Sequence, residues 1–177
     1  MQQIEIRPLE ASGDTVGQLA QIIVEVVAGG GSVSFMHPLA FDKACRFWET
    51  SLAAAARGER VVLGAWDGAI LAGTVTLLLD FPVNQPHRAE IAKMMTRIGH
   101  RGRGIAMRLM QRAEAVAVER GKTLLVLDTA TRDGAAGLYE KLGFTLTGEV
   151  PDYALTPDGT LSGTLIYWKR IGEAAAA

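Results

Sequence analysis

The amino-acid sequence predicts a mixed α/β (α+β) domain, with a mostly antiparallel central sheet and helices on both faces. Three observations favour this class. Strand-like and helix-like segments follow one another in the order βαα-ββ-β-α-β-α-β-β. The dipeptide Asp67-Gly68, a strong hairpin signal, joins two apolar strands. The run LLVLD at 124–128 is apolar apart from its last residue, which is typical of a strand covered on both faces.

The first half of the chain places two helices between strands. Residues 2–7 alternate polar and apolar side chains before a proline and predict the first strand. Two later segments carry apolar residues at helical spacing, and glycines follow each of them, GGGS at 29–32 and Gly58. The predicted elements are strand 2–7, helices 14–28 and 40–57, and hairpin strands 60–66 and 70–79.

The second half continues with strands and helices in alternation. Gly121 and Gly143 are natural C-terminal stops for two helices, and Pro157-Asp158-Gly159 predicts a turn inside a polar loop. The predicted elements are strand 89–97, helix 104–120, strand 124–128, helix 133–142, strand 144–150, loop 151–163 and strand 164–171. We expect one domain over residues 1–172 and a frayed tail at 173–177.

The bulk composition excludes several classes of function. The 177 residues carry a formal net charge of −1, so no global field favours nucleic acid or a membrane surface. No apolar run approaches membrane-spanning length, and the N-terminus lacks the form of a signal peptide. Cys45 is the single cysteine, so no internal disulfide can form, which fits a cytoplasmic location. The histidines and Cys45 show no metal-ligand spacing, and no metal site is expected.

The segment HRGRGIAMRLM at 100–110 is the main candidate for a binding site. A helix N-terminus already carries partial positive charge, so arginines there are unfavourable unless an anion binds. The small residues permit close backbone approach, and outward N–H groups with the arginines suit a pyrophosphate. The segment is neither a P-loop nor a dinucleotide fingerprint. A basic, solvated turn is the alternative that these residues leave open. The candidates are Arg101, Gly102, Arg103, Gly104, Ile105 and Ala106.

The same segment resembles a known signature. Arg101-x-x-Gly104-x-Ala106 matches the Gln/Arg-x-x-Gly-x-Gly/Ala acetyl-CoA signature of the GCN5-related N-acetyltransferase (GNAT) superfamily, with the strand AEIAKMMTR before it. Downstream, LLVLDT and GLYEKLGF resemble that superfamily's second motif. More narrowly, the chain resembles the tabtoxin-resistance acetyltransferases in VVAGGGSVSFM, RAEIAKMM, LDT…LYEKLGF and PDYALTPDGTLSGTLIYWK.

The resemblance implies an acetyl-CoA-dependent N-acetyltransferase. The acceptor would be the amino group of a small, amino-acid-like compound or toxin, acetylated by direct transfer in a ternary complex. The pyrophosphate would lie at residues 101–106. The pantetheine arm would lie along the strand edge as an added strand would, mainly through backbone contacts with Lys93, Met94, Met95 and Thr96. Lys141 is a further cofactor-binding candidate, with a structural role as the alternative.

The chemical step needs a neutral amine, a stabilised oxyanion and a protonated leaving thiol. Tyr139 matches the superfamily tyrosine that protonates the leaving sulfur; a buried ring with a wet hydroxyl is the alternative. Asp128 would hold or deprotonate the amine, or else cap a turn. Glu90 would act as the base through a water, or else pair with Arg88.

The acceptor pocket is expected from the loop at 29–37, the second helix and the loop at 151–160. Phe35, Met36 and Trp48 have core packing as their alternative, and Asp152 would suit an ammonium group. The candidate residues are Ser34, Phe35, Met36, Trp48, Asp152 and Tyr153. A homodimer is compatible with the resemblance. A protein N-terminal or lysine acetyltransferase and a non-catalytic acyl-CoA-binding sensor are the rival functions.

Overall fold

A computed structural model describes residues 4–131 and 135–172. It contains a seven-stranded sheet in the order β1-β2-β3-β4-β5-β7-β6. Every neighbouring pair is antiparallel except β4 and β5, which are parallel. The predicted fold class and element order are therefore confirmed. The elements are β1 Glu5–Pro8, α1 Gly13–Ala28, α2 Phe41–Ala56, β2 Arg60–Asp67, β3 Ile70–Leu78, β4 Arg88–Thr96, a 3₁₀ turn Ile98–His100, α3 Ile105–Glu119, β5 Leu124–Ala130, α4 Ala136–Lys141, β6 Thr145–Leu155 and β7 Leu161–Arg170.

Helices cover both faces of the sheet and form two apolar cores. Along β2, Leu63 and Ala65 belong to the core that includes α3 and α4, whereas Val62 and Trp66 belong to the core with α1 and α2. Successive strand residues point to opposite faces, so β2 is buried on both sides. Among the described residues, no helix has the length and apolar character needed to cross a bilayer.

The glycine run after α1 has a steric reason. A Cβ on Gly31 would lie 2.5 Å from Val26 Cγ1 and 3.1 Å from the Val26 carbonyl oxygen. Gly30 has a φ of 86°, a conformation that glycine adopts readily. The chain can therefore fold back against the end of α1, and this places the following loop beside β4.

The predicted loop at 151–163 is wrong. β6 runs to Leu155 and β7 begins at Leu161, so only a short turn separates them. In that turn the Gly159 N–H donates to the Thr156 carbonyl at 2.9 Å, as the Pro-Asp-Gly signal predicts. The predicted strand 144–150 corresponds to the first half of β6, whereas residues 151–155 were not predicted as strand because β6 is exposed along nearly all its length and has no apolar alternation.

Some predictions fall outside the described residues. They are the frayed tail at 173–177, the start of the first strand at residues 2–3, and the start of the fourth helix at 133–134. The described part of that helix, α4, begins at Ala136.

Candidate active site

The site is a cleft that opens where the parallel strands separate. Pairing between β4 and β5 ends at Glu90 and Val126, whereas β5 remains paired with β7 as far as Ala130. From Ile91 onward, β4 therefore has an unpaired edge towards β5. A cleft of about 710 Å³ lies along this edge, bounded by the glycine loop after α1, the mouth of α3, α4 and the β6–β7 hairpin.

A bulge in β4 turns Lys93 into the cleft. Lys93 has a φ of 50°, and the register with β3 shifts between Thr74 and Thr76. A non-glycine residue at positive φ is uncommon and costs energy. The Lys93 ammonium donates a hydrogen bond to Ser34 Oγ at 2.9 Å. The sequence predicted that Lys93 lines the site mainly through its backbone, whereas the structure brings its side chain into the cleft.

The mouth of α3 presents backbone N–H groups. Gly102 and Gly104 have φ values of 75° and 73°, and no side chain caps the helix. Within residues 4–131 and 135–172, no protein acceptor pairs with the amides of residues 102 to 107. Arg101, just before these amides, and Ala106, in the first turn of α3, line the cleft. Free amides at a helix N-terminus beside a guanidinium suit an anionic group.

Arg103 has a different role from the one predicted. Its guanidinium Nη1 lies 2.7 Å from Asp67 Oδ2, and the His100 Nε2 lies 3.5 Å from the same oxygen. The hairpin turn between β2 and β3 therefore anchors the segment, and the Arg103 side chain does not line the cleft. Ile105 is buried in the core under α3, so its side chain cannot contact a ligand.

The free edge of β4 fits an elongated ligand with amide groups. Met94 packs against the α3 core and Met95 is buried in the α1–α2 core, so the pair faces opposite sides, as a pleated strand requires. Thr96 Oγ1 is buried in the cleft without a partner among the described residues. This orphaned hydroxyl and the unpaired strand edge fit a pantetheine arm.

Tyr139 and Asp128 both line the cleft, from two different elements. Tyr139, on α4, is 5% exposed, and its ring packs against Phe144 and Tyr167 with centroid distances of 6.1 and 5.9 Å. Asp128, on β5, accepts a hydrogen bond from Thr164 Oγ1 at 3.0 Å. The structure therefore brings a phenol and a carboxylate, the two groups required for proton transfer, into one cleft.

The acceptor side is built by two loops that meet. The His37 N–H donates to the Pro157 carbonyl at 2.9 Å, which ties the loop after α1 to the β6–β7 turn. Of the predicted acceptor residues, Ser34 and Tyr153 line the cleft, whereas Phe35, Met36 and Asp152 do not. Phe35 packs edge-on against Phe47 at 5.2 Å.

Three predicted site residues lie elsewhere. Trp48 is fully buried between α1, α2 and the sheet, which contradicts its interpretation as a pocket wall. Glu90 pairs with Arg88 at 2.6 Å and does not line the cleft, so the alternative reading of this residue applies. Lys141 is exposed at the end of α4 and lies outside the cleft lining.

A family model described as "Acetyltransferase (GNAT) family" matches residues 32–144, well over half of the chain. The chain belongs to the GNAT acetyltransferase family. The matched region contains β4, the mouth of α3, β5 and α4, the elements that bound the cleft on the cofactor side. The family assignment and its cofactor, acetyl-CoA, are thereby confirmed.

Solved structures show the same GNAT fold. The chain is similar to an N-acetyltransferase from Staphylococcus aureus Mu50, with a TM-score of 0.80, 19% identity, and coverage of 96% of this chain and 99% of that one. It is also similar to the yncA protein of Salmonella typhimurium, solved with its cofactor acetyl-CoA, with a TM-score of 0.78, 19% identity, and coverage of 98% and 96%.

A curated relative matches over a shorter region. The chain is 37% identical to "N-acetyltransferase 8B" of Homo sapiens over 79 residues, which are 44% of this chain and 35% of that protein. The match therefore spans about a third of the length of this relative, which supports the shared family without identifying an acceptor.

Proposed function

We propose that this chain transfers the acetyl group of acetyl-CoA to the amino group of a small, amino-acid-like molecule, by direct transfer in a ternary complex. One observation carries the proposal. A single cleft joins the unpaired amides and Arg101 at the mouth of α3 to a phenol, Tyr139, and a carboxylate, Asp128. The cleft therefore combines a site for an anionic coenzyme with groups that can move protons.

The residues of the cofactor half have distinct tasks. Arg101 and the amides of residues 102 to 107 would hold the diphosphate, and the free edge of β4 up to Thr96 would hold the pantetheine amides. Bound acetyl-CoA supplies an activated acyl group as a thioester. The walls around Tyr139 are apolar, so they exclude water from the neighbourhood of that group.

Asp128 and Tyr139 would handle the protons. A free amine near pKa 10 is mostly charged at neutral pH, so it must lose a proton before it can attack. Asp128, fixed by Thr164 at the end of β5, would orient the ammonium and accept its proton directly or through water. Tyr139, whose ring is fixed by its two aromatic neighbours, would donate a proton to the leaving sulfur.

A contact between two loops supports a small acceptor. The loop after α1 and the β6–β7 turn meet through His37 and Pro157 on the acceptor side, which favours a small molecule over an extended polypeptide. The resemblance to tabtoxin-resistance acetyltransferases supports a toxin- or antibiotic-like amine. A cytoplasmic location and a homodimer belong to the same proposal.

The test is a measurement of thiol release from acetyl-CoA with three acceptor sets: small amines, L-amino acids, and peptides with a free N-terminus or a lysine. Mass spectrometry identifies the acetylated product, and a reaction without acceptor measures hydrolysis. We expect turnover with small amino compounds and intersecting double-reciprocal plots. Turnover with peptides alone would establish the protein acetyltransferase instead, and tight acetyl-CoA binding without any turnover would establish the sensor. Parallel plots would exclude the ternary complex.

A further inference from the structure

The charged side chains of the cleft are few and are separated. Among the described residues that line it, only Lys93, Arg101 and Asp128 carry a formal charge. Arg101 lies at the mouth of α3, where the diphosphate is proposed to bind. The other two, the cation Lys93 and the anion Asp128, are therefore available to contact the acceptor.

Lys93 has no carboxylate partner at salt-bridge distance within the described part of the chain, although it is partly buried. Its ammonium contacts the Ser34 hydroxyl and lies 6.0 Å from the centre of the Phe47 ring. A charge that is withdrawn from water without a counter-ion is costly, and the positive φ adds backbone strain. A partly buried, strained cation that contacts a hydroxyl and an aromatic ring, but no carboxylate among the described residues, indicates a ligand of opposite charge.

Asp128 lies close to Lys93 but does not pair with it. Burial lowers the pKa of Lys93, with a small contribution from Arg60, and the neighbouring carboxylates of Asp128 and Glu90 offset this lowering only in part. The two side chains therefore influence each other electrostatically within one cleft without forming a salt bridge. An α-amino acid carries an ammonium and a carboxylate on one carbon, which is the complementary arrangement of charges.

We propose that Lys93 binds a carboxylate of the acceptor, while Asp128 faces its amino group, so that the acceptor is an amino carboxylate. This inference rests on the proposed function and specifies its substrate class. Ser34 would help to hold Lys93 in place, since its Oγ accepts a hydrogen bond from the ammonium. The bulge in β4 then determines the specificity for the acceptor carboxylate, because in a regular strand the Lys93 side chain would point to the other face of the sheet.

The experiment compares acceptors that differ only in the carboxylate. We would measure kcat/KM for L-amino acids and for their α-carboxamides with the unaltered protein, Lys93→Met and Lys93→Arg. Lys43→Met, an exposed lysine on α2, is the matched control. Lys93→Met should lose roughly 10- to 100-fold on the acids, the usual worth of a charge-assisted hydrogen bond, and little on the carboxamides. Lys93→Arg should restore part of the preference, and Lys43→Met should change neither substrate.

Two other results would overturn the inference. An equal loss on acids and carboxamides would mean that Lys93 serves a group common to both reactions. Mass-spectrometric detection of acetyl-Lys93 after incubation with acetyl-CoA would make Lys93 an acceptor itself.

A binding measurement separates this inference from the proposed function. Calorimetry of L-amino acids and carboxamides with the protein–coenzyme A complex reports the carboxylate preference without turnover. Preferential binding that Lys93→Met abolishes would support the inference even if no transfer occurred. Absence of both binding and turnover with L-amino acids would overturn it, as would equal affinity for acids and carboxamides.

Discussion

Replacing Gly104 by glutamate should separate the folding role of this residue from its binding role. Gly104 begins α3 with a φ of 73°, and a Cβ there would meet nothing within 4 Å. The protein therefore has room for a side chain, and the cost to folding is backbone strain of roughly 1–2 kcal/mol. For a domain of this size we expect the melting temperature to fall by about 2–8 °C.

The effect on coenzyme binding should be larger. The new carboxylate would lie beside the unpaired amides and face the diphosphate. Two unit charges about 4 Å apart repel by roughly 4 kcal/mol at an effective dielectric constant near 20, which corresponds to about a thousandfold in affinity. Because the side chain can rotate away, we expect a loss of at least tenfold.

Calorimetric titration with coenzyme A and thermal unfolding measure the two effects separately. Gly104→Ala introduces the strain without the charge. Gly121→Glu, at the other end of α3, has a φ of 70° and equally open surroundings, so it adds the same side chain at a distance from the cleft. Both controls should bind coenzyme A nearly as well as the unaltered protein. A folded Gly104→Glu protein with unchanged affinity would refute the assignment of the diphosphate to this segment.

Three further substitutions test individual residues. Tyr139→Phe should lower kcat by roughly 100-fold or more with unchanged coenzyme A affinity. Tyr167→Phe removes a neighbouring buried phenol outside the cleft and should leave kcat unchanged. Equal turnover of the two variants would exclude Tyr139 as the acid. Glu90→Gln should leave kcat within about threefold, because loss of a general base would cost roughly 100-fold. Trp48→Ala should lower the free energy of unfolding by about 3–5 kcal/mol in urea titrations; an effect confined to the acceptor KM would restore Trp48 to the pocket.

Periodicity and turn chemistry predicted the fold because they report local properties. The Asp67-Gly68 hairpin corresponds to the turn between β2 and β3, and LLVLD corresponds to β5. Only one face of β5 is fully buried, so the prediction of a strand covered on both faces is wrong. The strand end at Leu155 was not predictable in this way, since β6 is held by backbone pairing with β7 and leaves its side chains in water. A pattern of apolar residues cannot predict the end of such a strand, because neither of its faces is buried.

The site was predictable where the motif is contiguous. Arg101, Asp128 and Tyr139 stand in motifs and line one cleft. The Asp67–Arg103 pair joins positions far apart in the chain, and no local signal indicates it. For Lys93 the sequence indicated only a backbone role on the strand edge, because one residue with a positive φ changes the face to which a side chain points, and lysine has no preference for that conformation.

The two sets of unpaired backbone groups in the cleft are best explained by one ligand. Among the described residues, β4 has an unpaired edge after Glu90 and the amides of residues 102 to 107 have no protein acceptor. Both features lie on a single stretch of chain, joined by the Ile98–His100 turn. The first turn of a helix has N–H groups without intrahelical partners, and an unpaired strand edge has both donors and acceptors, so one ligand that contacts both would satisfy them. A small anion at the mouth of α3 would leave the strand edge and Thr96 unexplained, and a peptide added to β4 would leave the helix mouth unexplained. An elongated molecule with amides at one end and a diphosphate at the other satisfies both, which is why the geometry of the cleft supports acetyl-CoA independently of the family match.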